Sequence, residues 1–158
     1  MTANKTLSAL ASEIKSQNGP SYSFVEIDPI NNRDGGQPGG NIRVAYLYDD
    51  SVIQLHNLNP GTNKVAIDIQ SDGELTYNPG LIDPENDAWD STRKPLVAAW
   101  ETIDGENTFI TVNVHLTSKL GSTSLQGDAR PPVNGGVEKR ISQAQIIAVS
   151  FFSNYEPI

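Results

Sequence analysis

The side chains best suited to handling a charged oxygen lie in two neighbouring segments. The first is Arg93-Lys94-Pro95-Leu96-Val97-Ala98-Ala99-Trp100, and the second runs from Phe109 to Lys119. Strand side chains alternate between faces, so Phe109, Thr111, Asn113 and His115 point one way while Ile110, Val112, Val114 and Leu116 point the other. The second set is uniformly aliphatic and belongs against a core. The first set ends in Asn113 and His115 at the C-terminal end of the strand, with Ser118 and Lys119 immediately after. An imidazole exchanges its proton near neutral pH. An amide, a hydroxyl and an ammonium group can each donate to an anion. Spacing alone leaves a second reading open, in which His115 is a hydrogen-bonded part of the scaffold.

Other groups point less clearly to chemistry. Asp83, Glu85, Asp87 and Asp90 alternate in a manner able to wrap Ca²⁺, but the stretch lacks the central Gly and final Glu of an EF-hand loop, so a solvated acidic turn is the default. Gly35-Gly36 and Gly39-Gly40 have no strand-to-helix context for cradling phosphate and read as flexible linkers within a loop. Trp89 and Trp100 read as packing residues. His56, at the end of a strand, reads as a surface residue.

The bulk properties bound the possibilities. A chain of 158 residues with 37% hydrophobic residues has the length of one domain with an ordinary core. Its 13 Gly and 10 Pro favour strands and loops over a helical bundle. The net charge of −8 removes any general attraction for phosphate backbones or anionic membranes, which argues against a DNA-coating or membrane-bound protein. A chain of this charge meets nucleic acid only through a local basic site or a metal ion. With no cysteine there is neither a disulfide framework nor a thiolate metal site. No apolar run approaches membrane-spanning length, and Met1-Thr2-Ala3-Asn4-Lys5 is not followed by the apolar stretch of a signal peptide.

The elements that must position these groups follow from periodicity. Leu7, Leu10, Ala11 and Ile14 give a helix over residues 5–17, stopped by Asn18-Gly19-Pro20. Residues 22–27 form a strand. Residues 28–41, with four Gly and two Pro, read as a mobile loop outside the core. Residues 42–48 and 51–55 read as a hairpin about Asp49-Asp50. Residues 57–94 are least regular, with short strands expected at 65–69 and 74–77. Strands at 95–100 and 109–116 flank a turn at Asp104-Gly105-Glu106-Asn107. After a Gly/Ser/Pro-rich loop over 117–136, Ile141, Ala144, Gln145, Ala148 and Phe152 mark a helix over 137–152. The fold class expected is α+β, a mixed and largely antiparallel sheet with flanking helices.

Taken together, Arg93-Lys94-Pro95-Leu96 and Val112-Asn113-Val114-His115-Leu116-Thr117-Ser118-Lys119 resemble the R-x-P-L and V-N-x-H-x-x-S-K pattern of secreted nucleases in the endonuclease/exonuclease/phosphatase family, the relatives of pancreatic-type deoxyribonuclease. Gly39 to Tyr48 is similar to that family's G-x-D-x-I-x-V strand. Arg140-Ile141-Ser142-Gln143-Ala144-Gln145 is similar to its R-x-x-Q-A-Q helix. The resemblance spans nearly the whole chain. It implies that His115 contacts the scissile phosphate and that Arg93 binds phosphate beside it. Asn113, Ser118, Lys119 and Asn41 are then further substrate-binding candidates, although Asn41 stands where the family often has Asp. Arg140 and Gln143 are expected to support the loop and helix.

The family's metal-binding Glu, its Gly-Asp-x-Asn strand and its Asp-His pair have no counterpart here. The resemblance therefore implies that residues 1–158 are a single partial domain, about half of the family's four-layer α/β sandwich. The parent protein would be an extracellular or cell-surface hydrolase using a divalent cation, Mg²⁺ or else Ca²⁺, with nucleic acid as substrate. This segment would hold no cation and have no activity alone. An uncovered sheet face would favour self-association. The competing expectation is a non-catalytic β-rich binding or adhesion module of a secreted protein.

Overall fold

A computed structural model describes residues 3–37 and 40–152; Gly39, part of the resemblance above, lies outside them. Helix α1 (Ala3–Ser16) packs along strand β1 (Tyr22–Glu26). It stops at Asn18, whose φ of 61° turns the chain back so that Gly19 N–H donates to Ile14 O at 2.9 Å. A Cβ at Gly19 would lie 2.6 Å from Ile14 Cγ2, so the position requires glycine.

Strand β1 pairs antiparallel with β4 (Ala45–Asp49), Tyr22 opposite Asp49. Between them, β2 (Gly36–Gln37) and β3 (Gly40–Asn41) form a two-residue ladder within the Gly-rich loop. That loop does reach the core, contrary to expectation. Asp34 is buried, with its Oδ1 2.8 Å from Lys94 Nζ and its Oδ2 accepting from Ile30 N–H at 2.9 Å.

The expected hairpin across Asp49-Asp50 does not form. The turn itself is present, with Val52 N–H donating to Asp49 O at 3.0 Å and Asp49 Oδ1 accepting from Ser51. It carries the chain from one sheet to another: β4 stays with β1, while β5 (Ile53–Leu55) pairs with β7 (Leu96–Thr102). Aromatic packing between the sheets accompanies this arrangement. Tyr46 and Tyr48 of β4 have ring centroids 5.5 and 4.9 Å from that of Trp100 on β7.

Strand β7 is the centre of the second sheet, and Leu96 to Trp100 are all buried. One edge of β7 takes β5 and then β6 (Gly80–Leu81); the other takes β8 (Thr108–Asn113). Between β5 and β6, the buried carboxamide of Asn78 stands in for a peptide group. Its Oδ1 accepts from Ala99 N–H at 3.0 Å, and its Nδ2 donates to Ala99 O at 2.7 Å. The strands expected at 65–69 and 74–77 are reduced to isolated bridges, Ala66 with Leu81 and Ile69 with Leu75. Helix α2 (Val137–Phe152) covers the face opposite Trp100. There Val97 and Ala99 meet Leu75 and Ile82, with Ile67, Ile69, Val112, Ile146, Ile147 and Phe151 packed around them. Two helices and antiparallel sheets make the fold mixed α+β.

Candidate functional site

The chain leaves β8 at Asn113 and enters a segment without regular structure. Asn113 Nδ2 reaches across to the first sheet and donates to Ala45 O at 2.9 Å. This ties the end of β8 to the start of β4. Carrying the register of Leu96 opposite Asn113 three residues further puts Arg93 opposite Leu116. The side chain of Arg93 makes that contact, Nη2 donating to Leu116 O at 3.0 Å.

Helix α2 holds the same segment from the other side. Gln143 is fully buried; its Oε1 accepts from Thr117 N–H at 2.9 Å. Its Nε2 faces Ala88 O at 2.9 Å, Thr117 Oγ1 at 3.0 Å and Thr92 Oγ1 at 3.1 Å. One turn earlier, Arg140 Nη1 donates to Ser118 O at 3.0 Å, Thr117 O at 3.3 Å and Gly135 O at 2.8 Å. The backbone from Leu116 to Ser118 is therefore pinned by three side chains, and His115 projects beside it as an exposed residue. This is the preorganised backbone a binding loop needs.

The charge around Arg93 is uneven. Arg43 Nη1 pairs with Glu26 Oε2 at 2.8 Å and with Asp28, and Lys94 pairs with Asp34. Among the described residues Arg93 has no carboxylate partner, and its buried Nε makes no hydrogen bond. Burial pushes its pKa below the usual arginine value. All three cations and Asp34 line a cavity of about 20 Å³, room for roughly one water molecule. A partly buried guanidinium with no carboxylate partner among the described residues gains from any anion that reaches it.

The remaining candidates fall at different distances from this point. Asn41 works within its own loop, accepting from Asn32 N–H at 2.9 Å and donating to Asn31 Oδ1 at 2.9 Å. It pairs with Gly36, and the adjacent Gly35 abuts Arg93, where a Cβ would lie 3.4 Å from Arg93 Cδ. Ser118 Oγ accepts from Leu120 N–H at 3.4 Å. Lys119 is exposed. Arg93, His115, Ser118 and Lys119 thus share one end of the sheet, while Asn113 is used to join the two sheets.

In the acidic turn, Asn86 caps a short 3-10 turn (Asp87–Trp89) and donates to Asp83 Oδ2 at 2.8 Å. Among the described residues no group of three or more His, Asp or Glu side chains converges to hold a metal ion. No described helix is long and apolar enough to cross a membrane.

Two features escape local reading of the chain. Arg43 pairs with Glu26, 17 residues away, and Lys94 with Asp34, further still along the chain, with no spacing to announce either pair. His56, expected at the surface, is half-buried between Glu101 and Glu74. Its partners lie 45 and 18 residues away, so only the assembled sheet brings them together. Compared with known proteins, the chain matches no family model, no curated protein and no solved structure.

Proposed function

We propose that this chain is the phosphate-contacting segment of an extracellular, metal-dependent phosphodiesterase of the endonuclease/exonuclease/phosphatase type, acting on nucleic acid, and that it does not hydrolyse its substrate alone. The observation that carries this reading is Arg93. It is a partly buried cation with no carboxylate partner among the described residues, bonded to Leu116 O next to an exposed imidazole on a pinned backbone. His115 then donates a hydrogen bond to a non-bridging phosphate oxygen, and Arg93 offsets the charge on the same group. Ser118 and Lys119 extend the donor surface along the loop, and Asn41 approaches from the turn against Arg93. Asn113 acts indirectly, by holding the end of β8.

The packing series also supports the reading. Helix α1 lies on β1, the aromatic residues of β4 pack on Trp100, and α2 covers the other face of β7. That series suits part of the layered sandwich implied by the resemblance.

Mg²⁺ asks for oxygen ligands in near-octahedral geometry, and Ca²⁺ for six to eight oxygens. The groups at the loop are an imidazole, a guanidinium, a hydroxyl and an ammonium, which do not fit either ion. We assign the cation to carboxylates of the parent protein outside this chain, and derive no step through it. No membrane partner is proposed. Self-association through an uncovered sheet surface is proposed to centre on β8, which pairs with β7 alone among the described residues.

Fluorescence anisotropy with a short single-stranded oligonucleotide tests the reading. Binding is expected to be weak, because the chain is acidic, and to weaken further with salt. Arg93→Gln should weaken it about tenfold or more, since hydrogen bonds to charged groups are worth roughly 1.5–3 kcal/mol. A wild-type chain that ignores the oligonucleotide, or an affinity unchanged by Arg93→Gln, sinks the proposal and favours a non-catalytic binding module.

A further inference from the structure

The imidazole of His56 stands between two carboxylates contributed by different parts of the chain. Its Nδ1 lies 2.6 Å from Glu101 Oε2 on β7, and its Nε2 lies 3.0 Å from Glu74 Oε1. A neutral imidazole has one N–H and one bare nitrogen, whereas an ionised carboxylate only accepts. Both contacts are satisfied together only when the ring carries two protons. The backbone on either side is fixed by the sheet. His56 N–H donates to Ala99 O at 3.0 Å, and the His56 carbonyl accepts from Asn78.

Glu74 belongs to the excursion over residues 57–78 between β5 and β6, which delivers Ile67, Ile69 and Leu75 to the core. The excursion has little ladder of its own. It is held by the isolated bridges from Asn59 to Asn78, Ala66 to Leu81 and Ile69 to Leu75 and by scattered turn bonds. A side-chain tie from its tip to β7 therefore counts for more than it would in a regular hairpin.

We propose that His56 is a protonation-controlled clasp that fastens residues 57–78 to the central strand, and that raising the pH releases them. A specific exchange is available on deprotonation. Asn57 Nδ2 sits 3.0 Å from both His56 Nε2 and Glu74 Oε2. While the ring is charged, Nε2 donates to Glu74. Once Nε2 loses its proton it becomes an acceptor, takes the Asn57 amide, and meets the Glu74 carboxylate lone pair to lone pair.

Among the described residues, no cation stands by to replace the lost charge. From β5, Gln54 donates to Glu101 and is neutral. From β7 the charged group is Glu101, and from the excursion it is Glu74. From β8, Thr108, Phe109 and Ile110 line the adjacent cavity of about 300 Å³, together with Gly73 and Ala99, all uncharged. Among the described residues the ring thus faces two negative groups and no positive one.

The direction of the pH effect follows. The hydrogen bond to Glu101 raises the His56 pKa; burial opposes this, and Glu74 adds to it. Glu101 is correspondingly held below the usual carboxylate value, first by His56 and then by Gln54. A histidine whose folded pKa is raised contributes stability that is fully present below its unfolded value of about 6.5. That contribution disappears as the pH rises through the folded value.

The experiment pairs a histidine-ring NMR titration of the whole chain, with His56→Gln to assign the signal, with amide hydrogen exchange over residues 57–78 on both sides of the titration. His56 is expected to titrate above the ordinary value. Protection in residues 57–78, corrected for the intrinsic exchange rate, is expected to fall several-fold through the same midpoint. In Glu74→Ala, which removes the tie altogether, that step should be absent and protection low throughout. A His56 midpoint at or below the ordinary value overturns the proposal, as does protection without a pH step. Should His56→Gln fail to fold, the wild-type exchange step and its loss in Glu74→Ala still decide the matter.

Discussion

Replacing Gln143 by Ala removes the side chain that joins α2, the acidic turn and the loop carrying His115. The loss is specific. Thr117 N–H loses its acceptor at 2.9 Å, and Ala88 O loses its donor at 2.9 Å. Thr92 Oγ1 keeps its own bond to Trp89 O at 2.9 Å, so it loses least. Gln143 is fully buried, so water does not readily take its place. An orphaned buried donor or acceptor costs about 1–3 kcal/mol, and each methylene withdrawn from the interior about 0.8 kcal/mol. Part of the loop can relax toward solvent, which brings the expected loss to about 2–4 kcal/mol. For a chain of this size that is roughly 5–15 °C in melting temperature. Urea unfolding monitored by tryptophan fluorescence and far-ultraviolet dichroism reads the change in midpoint. Gln143→Glu keeps the acceptor for Thr117 but sets a buried carboxylate against Ala88 O, and should cost at least as much. If Gln143→Ala stays within about 0.5 kcal/mol of wild type, the amide does not organise the loop and the reasoning fails.

Two further outcomes are expected. Incubated with plasmid DNA and Mg²⁺, the chain should show cleavage no higher than background; robust nicking abolished by His115→Ala would contradict the assignment of the cation-holding acids to the rest of the parent. Strand β8 pairs with β7 alone among the described residues, and Phe109 and Ile110 are 42% and 38% exposed along it, without a Lys, Pro or bulge to block pairing. Light scattering should therefore find dimers or larger species at high concentration, reduced by Ile110→Lys, and a clean wild-type monomer would refute this.

How much of the architecture can be read from the chain depends on whether the deciding contacts are local. Helix α2 occupies the residues its periodicity predicts, 137–152, because one apolar stripe against the sheet settles it. The β7–β8 hairpin is legible from Asp104-Gly105 and the flanking alternation, although β8 ends at Asn113 and not at Leu116. Its carboxamide leaves the ladder to bond Ala45 O, a partner 68 residues away.

Pairing between distant segments is where local signals mislead. The Asp49-Asp50 turn is real, but a turn signal does not say which edges will pair, and β4 and β5 go to different sheets. The Gly-rich loop, read as lying outside the core, buries Asp34 because its partner Lys94, distant in the chain, is buried beside it. At the candidate site, the cluster from Asn113 to Lys119 is visible because its members are consecutive. The junction with Arg93 follows from the hairpin register. Neither the clamp geometry of Gln143 nor the pairing of His56 with two glutamates has a local signature.

The proposed function requires a phosphodiester to settle on the loop at His115 beside Arg93. Its most direct test is a titration of the isotopically labelled chain at low salt with a tetrathymidylate, following the His115 ring and the backbone amides of Leu116, Thr117, Ser118 and Lys119. Saturable shifts are expected on those groups and on Arg93, much diminished in Arg93→Gln, with His56 unmoved. Shifts confined to other surfaces, or an oligonucleotide that leaves the His115 ring untouched, would contradict it.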